Sequence, residues 1–167
     1  SIPAEPRGNT CNARSKSSEL AFSPRIGIRI SLESKNLFSR FGIEINSQNI
    51  KEIIKAIKIS NFNKIDILHI HYPERDLVSF RNRLEGVFSF FKIFKENCID
   101  ILSIDIGGGF PSIIPETMLK SLGLKNCSKL DDYSNALIKL RKKYELEKIP
   151  IVFEPGTAIA ANSFHLV

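Results

Sequence analysis

The sequence predicts an α/β protein with parallel strands, and three features carry that prediction. Apolar runs of strand length alternate with amphipathic helical stretches between residues 25 and 154. Three of the four runs are nearly continuous in apolar residues, as strands covered on both faces are. Their far ends gather residues suited to a ligand mouth: histidines, glycines and a carboxylate. Strand and helix in alternation call for parallel neighbours joined by right-handed crossovers. A TIM (β/α) barrel and an open doubly wound sheet both satisfy the pattern, the strand–helix units making about half a barrel.

The elements run in order along the chain. Residues 1–22, "SIPAEPRGNTCNARSKSSELAF", are polar and aperiodic and read as an irregular leader or the edge of a larger domain. "RIGIRIS" (25–31) alternates and is branched, the mark of a strand. A polar connection ending in "SRFGIEI" leads to "SQNIKEIIKAIKIS". There Ile50, Ile53, Ile54 and Ile57 share a helical face, with Ser47 as the expected N-cap. "KIDILHIHY" (64–72) is the second strand. Residues 76–97 form the longest helix, with Leu77, Phe80, Leu84, Val87, Phe88, Phe91 and Phe94 three or four apart. "IDILSIDI" is the third strand, Asp131 or Asp132 caps a helix running to about Glu145, and "IPIVFE" (149–154) is the fourth strand. "FHLV" is expected to open a further unit, so the main segment is set at 23–162 and a new one at 163–167.

Composition narrows the function classes. The 167 residues are 43% hydrophobic and 25% charged, as in an ordinary globular domain. The net charge of +6 invites a nucleic-acid partner. However, Lys51, Lys55, Lys58, Lys139, Arg141, Lys142 and Lys143 fall on helices, where a solvated outer face accounts for them. No basic cluster is interleaved with aromatics as a stacking platform would be. Cys11, Cys98 and Cys127, an odd set without CxxC spacing, argue against a disulfide framework and against structural zinc. A cytoplasmic setting is the expectation. No apolar run reaches the ~18–20 residues of a membrane span.

The strand ends hold the candidate chemistry, because ligand groups in parallel α/β folds collect there. Arg29 lies near the first end, His69 and His71 at the second, Asp105 and Gly107-Gly108-Gly109 at the third, and Glu154-Pro155-Gly156 at the fourth. A tight turn needs a single positive-φ residue; three adjacent glycines allow close backbone approach and a cradle of amides for an anion. The loop is neither GxGxxG nor a Walker loop, which disfavours a dinucleotide or a nucleoside triphosphate. His69 and His71, two apart on a strand, face the same side, where they can bind a metal, pack, or lie flat on an aromatic ligand. Glu154, leaving a buried strand, needs a partner: an arginine or a ligand cation.

"IGIRI", "SRFGIEI", "LHIHYPE", "LSIDIGGGFP" and "FEPGTAI" stand in the order and spacing of the fold-type III pyridoxal-phosphate decarboxylases. The chain from about residue 25 to 167 resembles this group of ornithine, arginine and diaminopimelate decarboxylases, related to alanine racemase. The resemblance implies part of a TIM barrel with parallel strands, lacking the early strands and the C-terminal β-domain. It also implies pyridoxal 5'-phosphate as cofactor. Gly107, Gly108, Gly109 and Gly156 would hold the phosphate, Arg29 would lie nearby, and His71 would stack on the ring. Glu154 would pair with the ring nitrogen and keep it protonated. His71 and Glu154 are the catalytic candidates, and no metal ligand is assigned. Pro73 and Glu74 replace the glycine and phosphate-holding serine after the histidine, and Thr157 replaces the arginine of EPGR.

The resemblance therefore implies an amino-acid decarboxylase segment, acting on an amino acid as small-molecule substrate in a homodimer or with a complementing chain, with Arg40 at the interface. None of Lys16, Lys35 and Lys51 sits in a family lysine motif, so the Schiff-base lysine is expected upstream and the segment inactive alone. The alternatives are a non-catalytic remnant or cofactor-binding module, or a metal-dependent barrel hydrolase built on His69 and His71.

Overall fold

The computed structural model describes residues 25–32, 41–60, 64–109, 116–121, 123, 128–156 and 159. The elements run β1 (Gly27–Ser31), β2 (Ile43–Glu44), α1 (Ser47–Ile59), β3 (Lys64–Ile65), β4 (Ile67–Ile70) and α2 (Leu77–Glu96). They continue with β5 (Asp100–Ile101), β6 (Ile104–Asp105), α3 (Glu116–Ser121), α4 (Leu130–Lys143) and β7 (Ile151–Val152). The leader, Lys16, Lys35, Arg40, Thr157 and "FHLV" fall outside the described residues.

Five strands form one parallel sheet in the order β2-β1-β4-β6-β7, and β3 pairs with β5 in a second. Apart from the edge strand β2, the main sheet runs in chain order. A doubly wound sheet reverses its order at a switch point. From β1 to β7 this sheet advances one way, as a barrel does, while β2 outside β1 gives the single reversal that a doubly wound order also has, so strand order by itself does not separate the two architectures.

Both middle strands are shorter and more broken than their apolar runs predict. Asp66 interrupts the first run: its carboxylate accepts the Ile26 N–H at 2.8 Å, and its carbonyl accepts the Ser103 hydroxyl at 2.7 Å. These side chains replace ladder bonds, so β3 and β5 pair apart from β4 and β6. The polar connection before α1 contains β2, which pairs with β1. Cys98, at positive φ after α2, is disulfide-bonded, although the cysteine count argues against a disulfide framework.

The core lies between sheet and helices. Ile30, Leu68, Ile70, Ile104 and Ile106 are buried with Phe80, Leu84, Val87, Phe88, Phe91 and Phe94 of α2 and with Leu137 and Leu140 of α4. Since side chains alternate along a strand, the intervening positions face the other way. Register places Arg29 beside His69 and His69 beside Asp105, so the opposite face carries a polar row.

Candidate functional site

The mouth is assembled from the C-terminal ends of β4, β6 and β7. Backbone bonds draw them together: Ile106 N–H donates to Val152 O at 3.1 Å and Glu154 N–H to Gly107 O at 3.0 Å. This closeness gives the glycines a reason of their own. A Cβ on Gly107 would lie 2.7 Å from Ile70 O, one on Gly108 2.5 Å from Glu154 O, and one on Gly109 2.6 Å from Glu74 O. Gly107 and Gly109 also adopt φ of +67° and +83°, the left-handed region that glycine enters without strain.

Three side chains converge on this mouth. His71 Nδ1 stands 2.6 Å from Glu154 Oε2, and His69 Nε2 is 3.9 Å from Glu154 Oε1. The imidazoles meet edge to face at 6.2 Å between centroids. Side-chain exposure is 20% for His69, 38% for His71 and 44% for Glu154, so the carboxylate is the accessible member. Burial pushes His69 below its ordinary value of 6.5, opposed by the charges of Asp105 and Glu154. Among the described residues, His69 Nε2 and Arg29 Nε are buried without a hydrogen-bond partner. The Arg29 guanidinium lies 5.3 Å over the Phe41 ring. One ligand atom from each of His69, His71 and Glu154 lies within 4.8 Å of the others, so the trio has the donor set of a metal site as well.

The glycine loop has amides to offer. Gly107 N–H is taken by Asp105 Oδ1 at 2.8 Å. Those of Gly108 and Gly109 find no acceptor among the described residues, although Gly108 is buried. Buried amides are almost always paired, so a ligand anion fits this loop. At the ring end the chemistry also suits a protonated aromatic nitrogen: among the described residues nothing hydrogen-bonds Glu154 Oε1, while His71 fixes Oε2. Gly156 is different. Its N–H donates to Glu154 O at 2.8 Å, but a Cβ there would meet nothing within 4 Å, so sterics do not demand a glycine.

Arg83 is a site residue that periodicity alone does not single out. It sits on α2 within the apolar stripe of Phe80, Leu84 and Val87, is 3% exposed, and donates to Gly108 O at 3.0 Å. A charged residue at a core position of an amphipathic helix is the signal that marks it.

Residues 16–161 match the pyridoxal binding domain of the pyridoxal-dependent decarboxylases. Among curated proteins none matches the chain. Solved structures do. The arginine decarboxylase of Paramecium bursaria Chlorella virus bound to agmatine is 18% identical, with a TM-score of 0.58, over 80% of this chain and 34% of its own. Diaminopimelate decarboxylase from Helicobacter pylori complexed with L-lysine is 20% identical, with a TM-score of 0.56, over 78% and 33%. Ornithine decarboxylase from Entamoeba histolytica gives 20% identity and 0.56 over 83% and 35%. At such identities the likeness establishes the fold, and the chain spans about a third of these structures' length.

Proposed function

Because the chain belongs to the pyridoxal-dependent decarboxylase family, whose domain here takes pyridoxal phosphate as cofactor, we propose that it forms the cofactor-holding part of an amino-acid decarboxylase. The observation that carries this is the Glu154 carboxylate, held by His71, at the same mouth as two amides without an acceptor among the described residues. Glu154 Oε1 would hold the proton of a ring nitrogen, and His71 offers a flat imidazole beside it. Gly108 and Gly109 offer N–H donors to a phosphate. When bound, the cofactor supplies an electron sink for the bonding pair that a departing carboxylate leaves behind.

Among the described residues no lysine stands at the C-terminal ends of β1, β4, β6 or β7. On this reading the covalent bond to the cofactor, and decarboxylation with it, call for a lysine outside the described residues, from this polypeptide or from another. A second chain, in a cytoplasmic setting, is part of the same proposal.

Titration of the purified chain with pyridoxal phosphate, followed by visible absorbance and borohydride trapping, tests this. Saturable binding is expected. Glu154→Gln should weaken it about tenfold, the scale of one charge-assisted hydrogen bond. Gly108→Val should abolish it, since its Cβ would meet Glu154 O at 2.5 Å. Equal, unsaturable labelling of surface lysines in all three proteins would sink the idea.

A further inference from the structure

We propose that Arg83 is a positioning residue for anion binding: its guanidinium turns the Gly108–Gly109 peptide so that the Gly109 N–H faces the mouth. The inference deepens the cofactor reading and rests on it for the identity of the anion.

The geometry is that of a single peptide plane. In a trans peptide the carbonyl of one residue and the N–H of the next point in opposite directions. Arg83, reaching from α2, donates from one terminal nitrogen to Gly108 O at 3.0 Å. With that carbonyl drawn toward α2, the Gly109 N–H points away from the helix layer. Hydrogen bonding to a cation also polarises the peptide, which makes its N–H a stronger donor.

Burying this arginine is costly, and beside the Phe80 ring, 5.6 Å from its guanidinium, its partner is the Gly108 carbonyl. At 3% exposure it is among the few buried polar residues, and among the described residues its Nε and Nη2 have no hydrogen-bond partner. Burial pushes its pKa below the ordinary value, and the charges of Glu74 and Asp76 pull it back. Glu74 also has a buried oxygen, Oε2, without a hydrogen-bond partner among the described residues. A helix position that a leucine would fill thus holds a cation directly behind the loop, and Nη2 lies 3.4 Å from where a Gly109 Cβ would stand. Beside Glu74, whose carboxylate would repel an anion, the guanidinium offsets the unfavourable charge.

The test separates the phosphate end of the ligand from its ring. Affinities for pyridoxal phosphate and for pyridoxal, which lacks the phosphate, are measured for the parent chain, Arg83→Met and Arg83→Lys. Thermal shift with inorganic phosphate is recorded for each. Arg83→Met is expected to weaken pyridoxal phosphate by about tenfold or more while pyridoxal is unchanged. Arg83→Lys should recover part of the loss. A phosphate-to-pyridoxal affinity ratio equal to the parent's in Arg83→Met overturns the proposal while the cofactor reading stands. If the parent does not bind pyridoxal phosphate, the cofactor reading fails instead, and an inorganic-phosphate shift decides the rest. A shift present in the parent and lost in Arg83→Met supports the anion role; one absent, or insensitive to Arg83, overturns it. Should Arg83→Met not fold, Arg83→Lys alone decides, an unchanged ratio again overturning the proposal.

Discussion

Asp76 precedes the first turn of α2, and its carboxylate accepts the Ser79 N–H at 2.8 Å. Burial alone would raise its pKa, but hydrogen bonds from the Ser79 and Val78 backbone and the Ser79 side chain hold it below 3.8. A depressed folded-state value means stability that is present above the unfolded value and lost as pH falls through the folded one. Asp76→Ala is therefore expected to cost about 1 kcal/mol near neutrality. In thermal unfolding across pH, that difference should shrink as both proteins are taken below the carboxylate range. Asp76→Asn should keep most of the cap and lose the acid dependence. Caps are only partly legible in the sequence. Ser47 reads as a cap, yet Asn46 fills that role, because its backbone is extended (φ −128°) and its side chain reaches the Asn49 N–H. Asp131 or Asp132 reads as a cap before α4, yet both lie in its first turn, and Asp132 is the one that bonds back. It lies one turn inside and accepts the Lys129 N–H at 2.8 Å, since a short polar side chain bonds either end of a turn.

The elements are legible where periodicity is strong. In α2 the spacing of Leu77, Phe80, Leu84, Val87, Phe88, Phe91 and Phe94 predicts the helix and its buried face; the last six are buried and Leu77 is half-buried. Phe88 is fully enclosed and packs edge to face with Tyr144 at 5.8 Å. Phe88→Ala is expected to cost about 3–5 kcal/mol, read as a lower denaturant midpoint with an unchanged slope. The strands are legible as apolar runs but not as units. Nothing in "KIDILHIHY" declares that Asp66 commits its carboxylate to Ile26 rather than to solvent. That partner is 40 residues away, and local pattern carries no such information. The same limit hides β2, whose two residues pair only through tertiary register. It also hides the Arg83 bond to Gly108, which joins a helix to a loop 25 residues on.

At the scale of the molecule, the sheet ends in β2 on one side and β7 on the other, with no further strand among the described residues. Ile43 and Val152 on these edges are large, apolar and exposed. Open parallel edges are templates for another chain, so light scattering should show association that grows with concentration. Ile43→Lys and Val152→Lys should shift it toward monomer without loss of melting temperature. A monomer at every concentration would contradict this. The pairing of β6 with β7, legible only as alternation, also fixes the spacing of the mouth. Glu154 N–H is bonded to Gly107 O, and Gly108 packs on Glu154 O, so acid and amides share one backbone contact. Together they form a calliper whose jaws cannot open independently. A molecule gripped at both ends must match that span, and an analogue one methylene longer between ring and phosphate should bind more weakly than pyridoxal phosphate in a competition titration. Selection by length would then come from the backbone, before any side chain has read the chemistry of the ligand.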